Sequence, residues 1–224
     1  MSVTTPRTLT AIAILTALIA AAPLAHSSPA LPPEQDLHPG AALIIAGTEN
    51  SLCTAGFVAR NSKGAPVMFT AGHCDTGGEV SLNSLKAGGT VPVAEFVATE
   101  YGGSRGEQPD VAVMKLSGSV ALNPAIADQI PVTGYLSDVY NGMMLCKVGI
   151  STGRSCGRVT SSTASKVKFD AEVAPGDSGG PVYAMKDDGT AAAVGITIRT
   201  AGDDGKPVAE LIGPWLDRWG LSIA

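Results

Sequence analysis

Three short segments carry side chains that could do chemistry together: Thr70-Ala71-Gly72-His73-Cys74, Asp110-Val111-Ala112-Val113-Met114-Lys115-Leu116 and Gly176-Asp177-Ser178-Gly179-Gly180-Pro181. Taken singly they read as a polar loop residue, a solvated acid at a strand edge and a glycine turn. Taken together they meet the needs of acyl transfer. A serine hydroxyl is a weak nucleophile at its own pKa and requires a neighbouring base. Histidine is the side chain suited to that task near neutral pH. A buried carboxylate fixes the imidazole tautomer and stabilises the imidazolium that forms. Glycines around Ser178 let the backbone turn sharply, so that two N–H groups can face a developing oxyanion. Of the histidines His26, His38 and His73, only His73 is expected in the folded body.

The elements that must hold these groups are short strands. The 224 residues include 27 Gly and 15 Pro against only 4% aromatic and 16% charged residues, a turn-rich composition that suits strands better than long helices. Alternating or apolar runs rich in Val, Ile and Thr occupy 42–45, 54–59, 66–70, 91–98 and 111–116 in the first half. The second half has 143–148, 156–161, 167–171, 181–184 and 191–198. No helical pattern separates them, which argues against a parallel βαβ sheet and for an all-β fold in two units. Residues 117–140 read as the connector between the units. One helix is expected over about 213–219, opened by Pro214 and stopped by Gly220, with Trp215, Leu216 and Trp219 docking on the second unit.

Charge and composition exclude several functions. With 15 Lys and Arg against 20 Asp and Glu, the net charge is −5, and no basic patch offers a nucleic-acid surface. No histidine cluster or cysteine pair has metal-ligand spacing, so neither a metal nor a cofactor is expected. The apolar stretch from Leu9 to Ala22, preceded by Arg7, has the length of a signal h-region and is short for a membrane span. Residues 1–25 are therefore expected to be a signal peptide, cut within 25–30, and residues 26–40 a flexible leader or short propeptide. The same segment, if retained, would be an anchor. Cys53, Cys74, Cys146 and Cys156 agree with export to an oxidising space, and arithmetic leaves their three possible pairings open.

From about Ile44 onward the sequence resembles chymotrypsin-fold serine peptidases, in particular the bacterial streptogrisin and α-lytic branch. The order His73, Asp110, Ser178 is that of the chymotrypsin arrangement, and Ile44-Ile45-Ala46-Gly47 and Gly56-Phe57-Val58-Ala59-Arg60 resemble its first two strands. The resemblance implies two six-stranded antiparallel barrels, over about 41–118 and 141–211, with the active site in the cleft between them. It makes His73 the general base, Asp110 its orienting carboxylate, Ser178 the nucleophile, and the amides of Gly176 and Ser178 the oxyanion hole. It pairs Cys53 with Cys74 and Cys146 with Cys156. Bacterial relatives place an arginine just after the first cysteine of the second barrel. Lys147 stands there in this chain, and is expected to pair with Asp177. The specificity pocket departs from the pattern. Glu172 replaces a cysteine, and Ile198, Arg199 and Thr200 stand where relatives have Ser-Gly-Gly. The expected protein is a secreted, extracellular or cell-envelope endopeptidase, monomeric, with a polypeptide substrate and no membrane span after signal removal. The altered pocket leaves one alternative, a secreted binding or adhesion protein that keeps the fold and cleaves poorly.

Overall fold

The computed structural model describes residues 1–2, 36–47, 50–84 and 87–224. The apolar segment Leu9–Ala22 and the cleavage positions 25–30 lie outside them. The chain opens with β1 (Asp36–Leu37), then β2 (Ala42–Ile45), β3 (Ser51–Thr54), β4 (Val58–Arg60), β5 (Pro66–Thr70), β6 (Val80–Ser84), β7 (Gly89–Tyr101) and β8 (Asp110–Leu116). The ladder runs β4-β5-β8-β7-β6-β2-β3. Because β3 and β4 are halves of one bent run, the ladder returns on itself and closes a six-stranded antiparallel barrel. Alternation aims Leu43, Ile45, Phe69, Leu82 and Met114 inward, each fully buried. Each such side chain contributes about 1.5–3 kcal/mol on leaving water.

The second unit follows β9 (Ala121–Leu122) and β10 (Val132–Tyr135). It is built from β11 (Met144–Gly149), β12 (Gly153–Ser162), β13 (Lys166–Phe169), β14 (Pro181–Met185), β15 (Ala191–Thr200) and β16 (Pro207–Leu211). Its ladder, β15-β14-β11-β12-β13-β16, closes through direct β15–β16 pairing around Leu145, Val167, Phe169, Val182 and Ala209. Helix α1 (Gly213–Trp219) and β17 (Ser222–Ile223) end the chain. Cys53–Cys74 and Cys146–Cys156 are disulfides.

Three expectations need correction. Residues 36–40 are not leader. Strand β1 pairs with β9, and Leu37 and His38 are buried, so apolar burial draws the chain into the body from Asp36. His38 is consequently a second histidine of the folded body. Within the connector 117–140, β10 adds in parallel to β15. The C-terminal segment bridges both barrels rather than docking on the second alone: Trp215 donates to Glu210 of the second at 2.9 Å, while the rest closes onto the first. The Trp219 ring stacks on Phe69 at 6.3 Å between centroids, and β17 pairs with β4.

Candidate active site

His73 sits in a single 3-10 turn, Gly72–Cys74, that follows β5. The Cys53–Cys74 bond ties that turn to β3. Asp110 opens β8, which pairs with both β5 and β7, and its carboxylate is 1% exposed. Asp110 grips the histidine twice. Oδ2 lies 2.8 Å from the ring Nδ1, and Oδ1 accepts from the His73 backbone N–H at 2.9 Å. A carboxylate in this position favours the tautomer with its proton on Nδ1, leaving Nε2 with a free lone pair. Nε2 has no hydrogen-bond partner among the described residues.

Ser178 lies in the loop between β13 and β14. The Ala174-Pro175-Gly176-Asp177 stretch is a tight turn closed by the Asp177 N–H donating to the Ala174 carbonyl at 3.1 Å. Gly176 has φ of +99°, the left-handed value needed at the third position of a type II turn, with proline before it. A second turn, closed by the Gly180 N–H on the Asp177 carbonyl at 3.0 Å, contains Ser178, with Gly179 at φ of +86°. A Cβ on Gly179 would fall 2.1 Å from the Thr70 hydroxyl, so this loop lies directly against the strand that leads to His73. The N–H groups of Gly176 and Ser178 donate to no acceptor among the described residues. Free, closely spaced amides of this kind suit a developing anion. The structure thus brings His73 and Asp110 into contact and packs the Ser178 loop against Thr54, Thr70 and Ala71 of the first barrel. The Ser178 hydroxyl makes no hydrogen bond among the described residues. Such contacts commonly tighten only when substrate is bound.

Behind Ser178, Asp177 and Lys147 are both fully buried, with Nζ 2.5 Å from Oδ2. The carboxylate also accepts from the N–H groups of Ser151 at 2.9 Å, Ala174 at 3.0 Å and Thr152 at 3.2 Å, and from the Thr152 hydroxyl at 2.6 Å. Burial pushes the Asp177 pKa up. The bonds from Lys147, Thr152, Ser151 and Ala174 outweigh it and hold the carboxyl below its ordinary 3.8.

The pocket residues separate. Glu172 is exposed, and its side chain makes no ion pair with Arg199. It is a solvated loop residue. Ile198, 2% exposed, is packed into the main hydrophobic cluster. Arg199 and Thr200 line a cavity of about 380 Å³ at the seam between the barrels.

Sequence reasoning missed two residues. Thr54 stitches the Ser178 loop to the first barrel. Its N–H donates to the Ser178 carbonyl at 2.7 Å and its hydroxyl to the Gly176 carbonyl at 2.8 Å. Glu210, 1% exposed on β16, accepts from the Asp110 N–H at 3.2 Å and from the Trp215 indole at 2.9 Å, and pairs with Lys166 at 2.8 Å. A lone carboxylate inside the apolar run Pro207-Val208-Ala209-Glu210-Leu211 was the available signal, because such a group demands buried partners.

A family model described as Trypsin matches residues 38–209. "Serine protease 2" of Streptomyces fradiae is 30% identical over 165 residues, covering 65% of this chain and 86% of its own. An uncharacterized protein of Mycobacterium tuberculosis is 31% identical over 163 residues, covering 66% and 68%. Among solved structures, Nocardiopsis protease (NAPase) superposes with a TM-score of 0.66 at 25% identity, over 84% of this chain and 98% of that one. Alpha-lytic protease homolog N4 gives 0.65 at 25%, over 84% and 100%. With more than half of its length matched and two closed barrels to carry the match, this chain belongs to the trypsin family, within the chymotrypsin fold.

Proposed function

We propose that the protein is a secreted serine endopeptidase that hydrolyses peptide bonds through an acyl-enzyme. The observation that carries this reading is the double grip of buried Asp110 on His73, which leaves Nε2 unpartnered among the described residues. In the proposed reaction Ser178 Oγ attacks the scissile carbonyl carbon while His73 Nε2 takes the hydroxyl proton. The carbonyl oxygen becomes an oxyanion facing the Gly176 and Ser178 amides. Collapse breaks the C–N bond, and His73 returns the proton to the departing amine. Water then repeats the sequence on the ester and frees Ser178. Asp110 stays ionised throughout and balances the imidazolium.

Glu210 acts in this scheme as a positioning residue, holding the Asp110 amide from the second barrel. Secretion rests on the apolar segment Leu9–Ala22 and on two disulfides, which persist in oxidising compartments. No described helix is long and apolar enough to cross a membrane. The test is peptide cleavage by the purified protein and by Ser178→Ala. The loss expected in kcat is on the order of 10⁶. Equal rates for the two proteins overturn the assignment.

The second reading, a binding protein on a peptidase fold, is favoured by the unbonded Ser178 hydroxyl and by Ile198 filling core space. It predicts an intact fold that holds peptides without cleaving them.

A further inference from the structure

The 380 Å³ cavity at the barrel seam has a charge pattern that the catalytic groups do not require. One wall is the β7–β8 loop at Ser104–Gly106, which runs into Asp110. The other is the end of β15 at Arg199 and Thr200. Strand β15 also touches the nucleophile loop, since Thr197 exchanges backbone hydrogen bonds with Gly179 at 2.7 Å and Gly180 at 2.8 Å. Beyond Thr197 the edge of β15 opposite β16 has no strand partner among the described residues. An extended chain rises about 3.3 Å per residue. Arg199 therefore lies two residues, and at most about 7 Å, past the contact with the Ser178 loop, across a register shift opposite Ala209 and Val208. A peptide running along that open edge would reach it two or three residues from the attacked bond.

The two ionisable side chains lining the cavity are both arginines, Arg105 and Arg199. Arg199 Nη2 donates to the Gly106 carbonyl at 2.7 Å, while its Nη1 is buried with no hydrogen-bond partner. A buried guanidinium donor without an acceptor is unfavourable, so the side chain would gain by turning from the Gly106 carbonyl into the cavity, where a carboxylate meets it in the bidentate geometry arginine prefers. The acids nearby make their hydrogen bonds elsewhere, although Glu107 lies close enough that, beside its Ser165 bond, Lys166 and Arg199 help to hold its carboxyl below the ordinary range. Glu107 accepts from the Ser165 and Thr163 hydroxyls at 2.5 and 2.8 Å, and Asp203 and Asp204 pair with Lys168 at 3.0 and 3.1 Å.

We propose that this cavity is a subsite for an acidic substrate residue, Asp or Glu, two or three positions from the scissile bond. The proposal rests on the peptidase reading above, and the experiment separates the two. Quenched-fluorescence peptides differing only by Glu, Gln or Lys at each position are compared by kcat/KM. Glu is expected to exceed Gln by about tenfold at one such position, and 0.5 M salt should shrink that ratio, as for a partly exposed ion pair. Arg199→Gln should bring the ratio close to one, and Arg199→Glu should turn the preference toward Lys. Arg105→Gln, at an exposed position, supplies a second reduction should the Arg199 variants misfold. In parallel, binding of the Glu and Gln peptides to Ser178→Ala is measured by fluorescence anisotropy. Glu and Gln peptides within twofold of each other in both assays overturn the subsite and leave the peptidase reading intact. Preferential binding of Glu peptides by a protein that cleaves nothing upholds the subsite and overturns the peptidase reading.

Discussion

Asp177 has no solvent access, so its charge survives only while its donors stay in place. Five groups donate to it, and Lys147 is one of them. Replacing Lys147 with Met removes the counter-charge and leaves the others. The expected stability loss is about 3 kcal/mol, the low end for breaking a buried pair. Asp177→Asn should cost more, about 5 kcal/mol, because it strands the Lys147 ammonium in the interior. Urea denaturation of the two variants checks that order. The pH dependence has a definite sign. A carboxyl whose folded pKa lies below its unfolded value contributes stability that is fully present above the unfolded pKa, and loses it as pH falls through the folded one. Asp177 is depressed below 3.8, so its stabilisation should hold from neutral pH down to about 4 and fail only at lower pH. Acid titration should show Lys147→Met unfolding at a higher pH than the parent. At Asp110, substitution by Asn should lower kcat by about 10⁴ through the wrong His73 tautomer. A matching loss of thermal stability would instead make the effect structural.

Among the elements, β16 links the barrels through one side chain. Glu210 receives the Asp110 amide from the first barrel and the Trp215 indole from α1, while Lys166 on β13 neutralises it. Glu210→Ala leaves the Lys166 charge, an indole donor and an amide unpaired, and should cost about 3–5 kcal/mol. Adding Lys166→Met should recover part of that loss, a coupling that a double-mutant cycle measures. Strictly additive losses would show that the two charges do not depend on each other. This strand was not legible in the sequence, since Pro207 and Glu210 break its apolar pattern. Strand β6 was hidden by Ser81 and Asn83 at its half-exposed positions. Runs such as Val111–Met114 and Ala191–Ile198 were legible because one face or both faces are buried along their length. The His73, Asp110 and Ser178 segments were legible because glycine and strand-end chemistry surround each of them. Thr54 and Glu210 were not, because their importance lies in tertiary contacts with residues 122 and 100 positions away.

Across the whole molecule, the Ser178 loop hangs from the second barrel while His73 and Asp110 belong to the first. The proposed catalytic geometry therefore depends on how the two barrels are fastened. Thr54 and Glu210 are fasteners across the seam, and the Cys53–Cys74 bond anchors the His73 turn within its own barrel. By the chain-entropy relation, that disulfide and Cys146–Cys156, which join residues 21 and 10 positions apart, should each contribute about 3 kcal/mol. Replacing Cys53 and Cys74 with Ala should reduce activity at temperatures where the fold persists, whereas loss of Cys146–Cys156 should act on stability first. Activity and circular dichroism followed together through a thermal ramp distinguish the two. The most direct test of the assembled site is reaction with a fluorophosphonate, which reports an activated serine without any choice of peptide. Mass spectrometry of digested protein is expected to find one adduct, on Ser178, formed at a rate that falls by orders of magnitude in His73→Ala. An unlabelled Ser178, or labelling as fast without His73 as with it, would contradict the account.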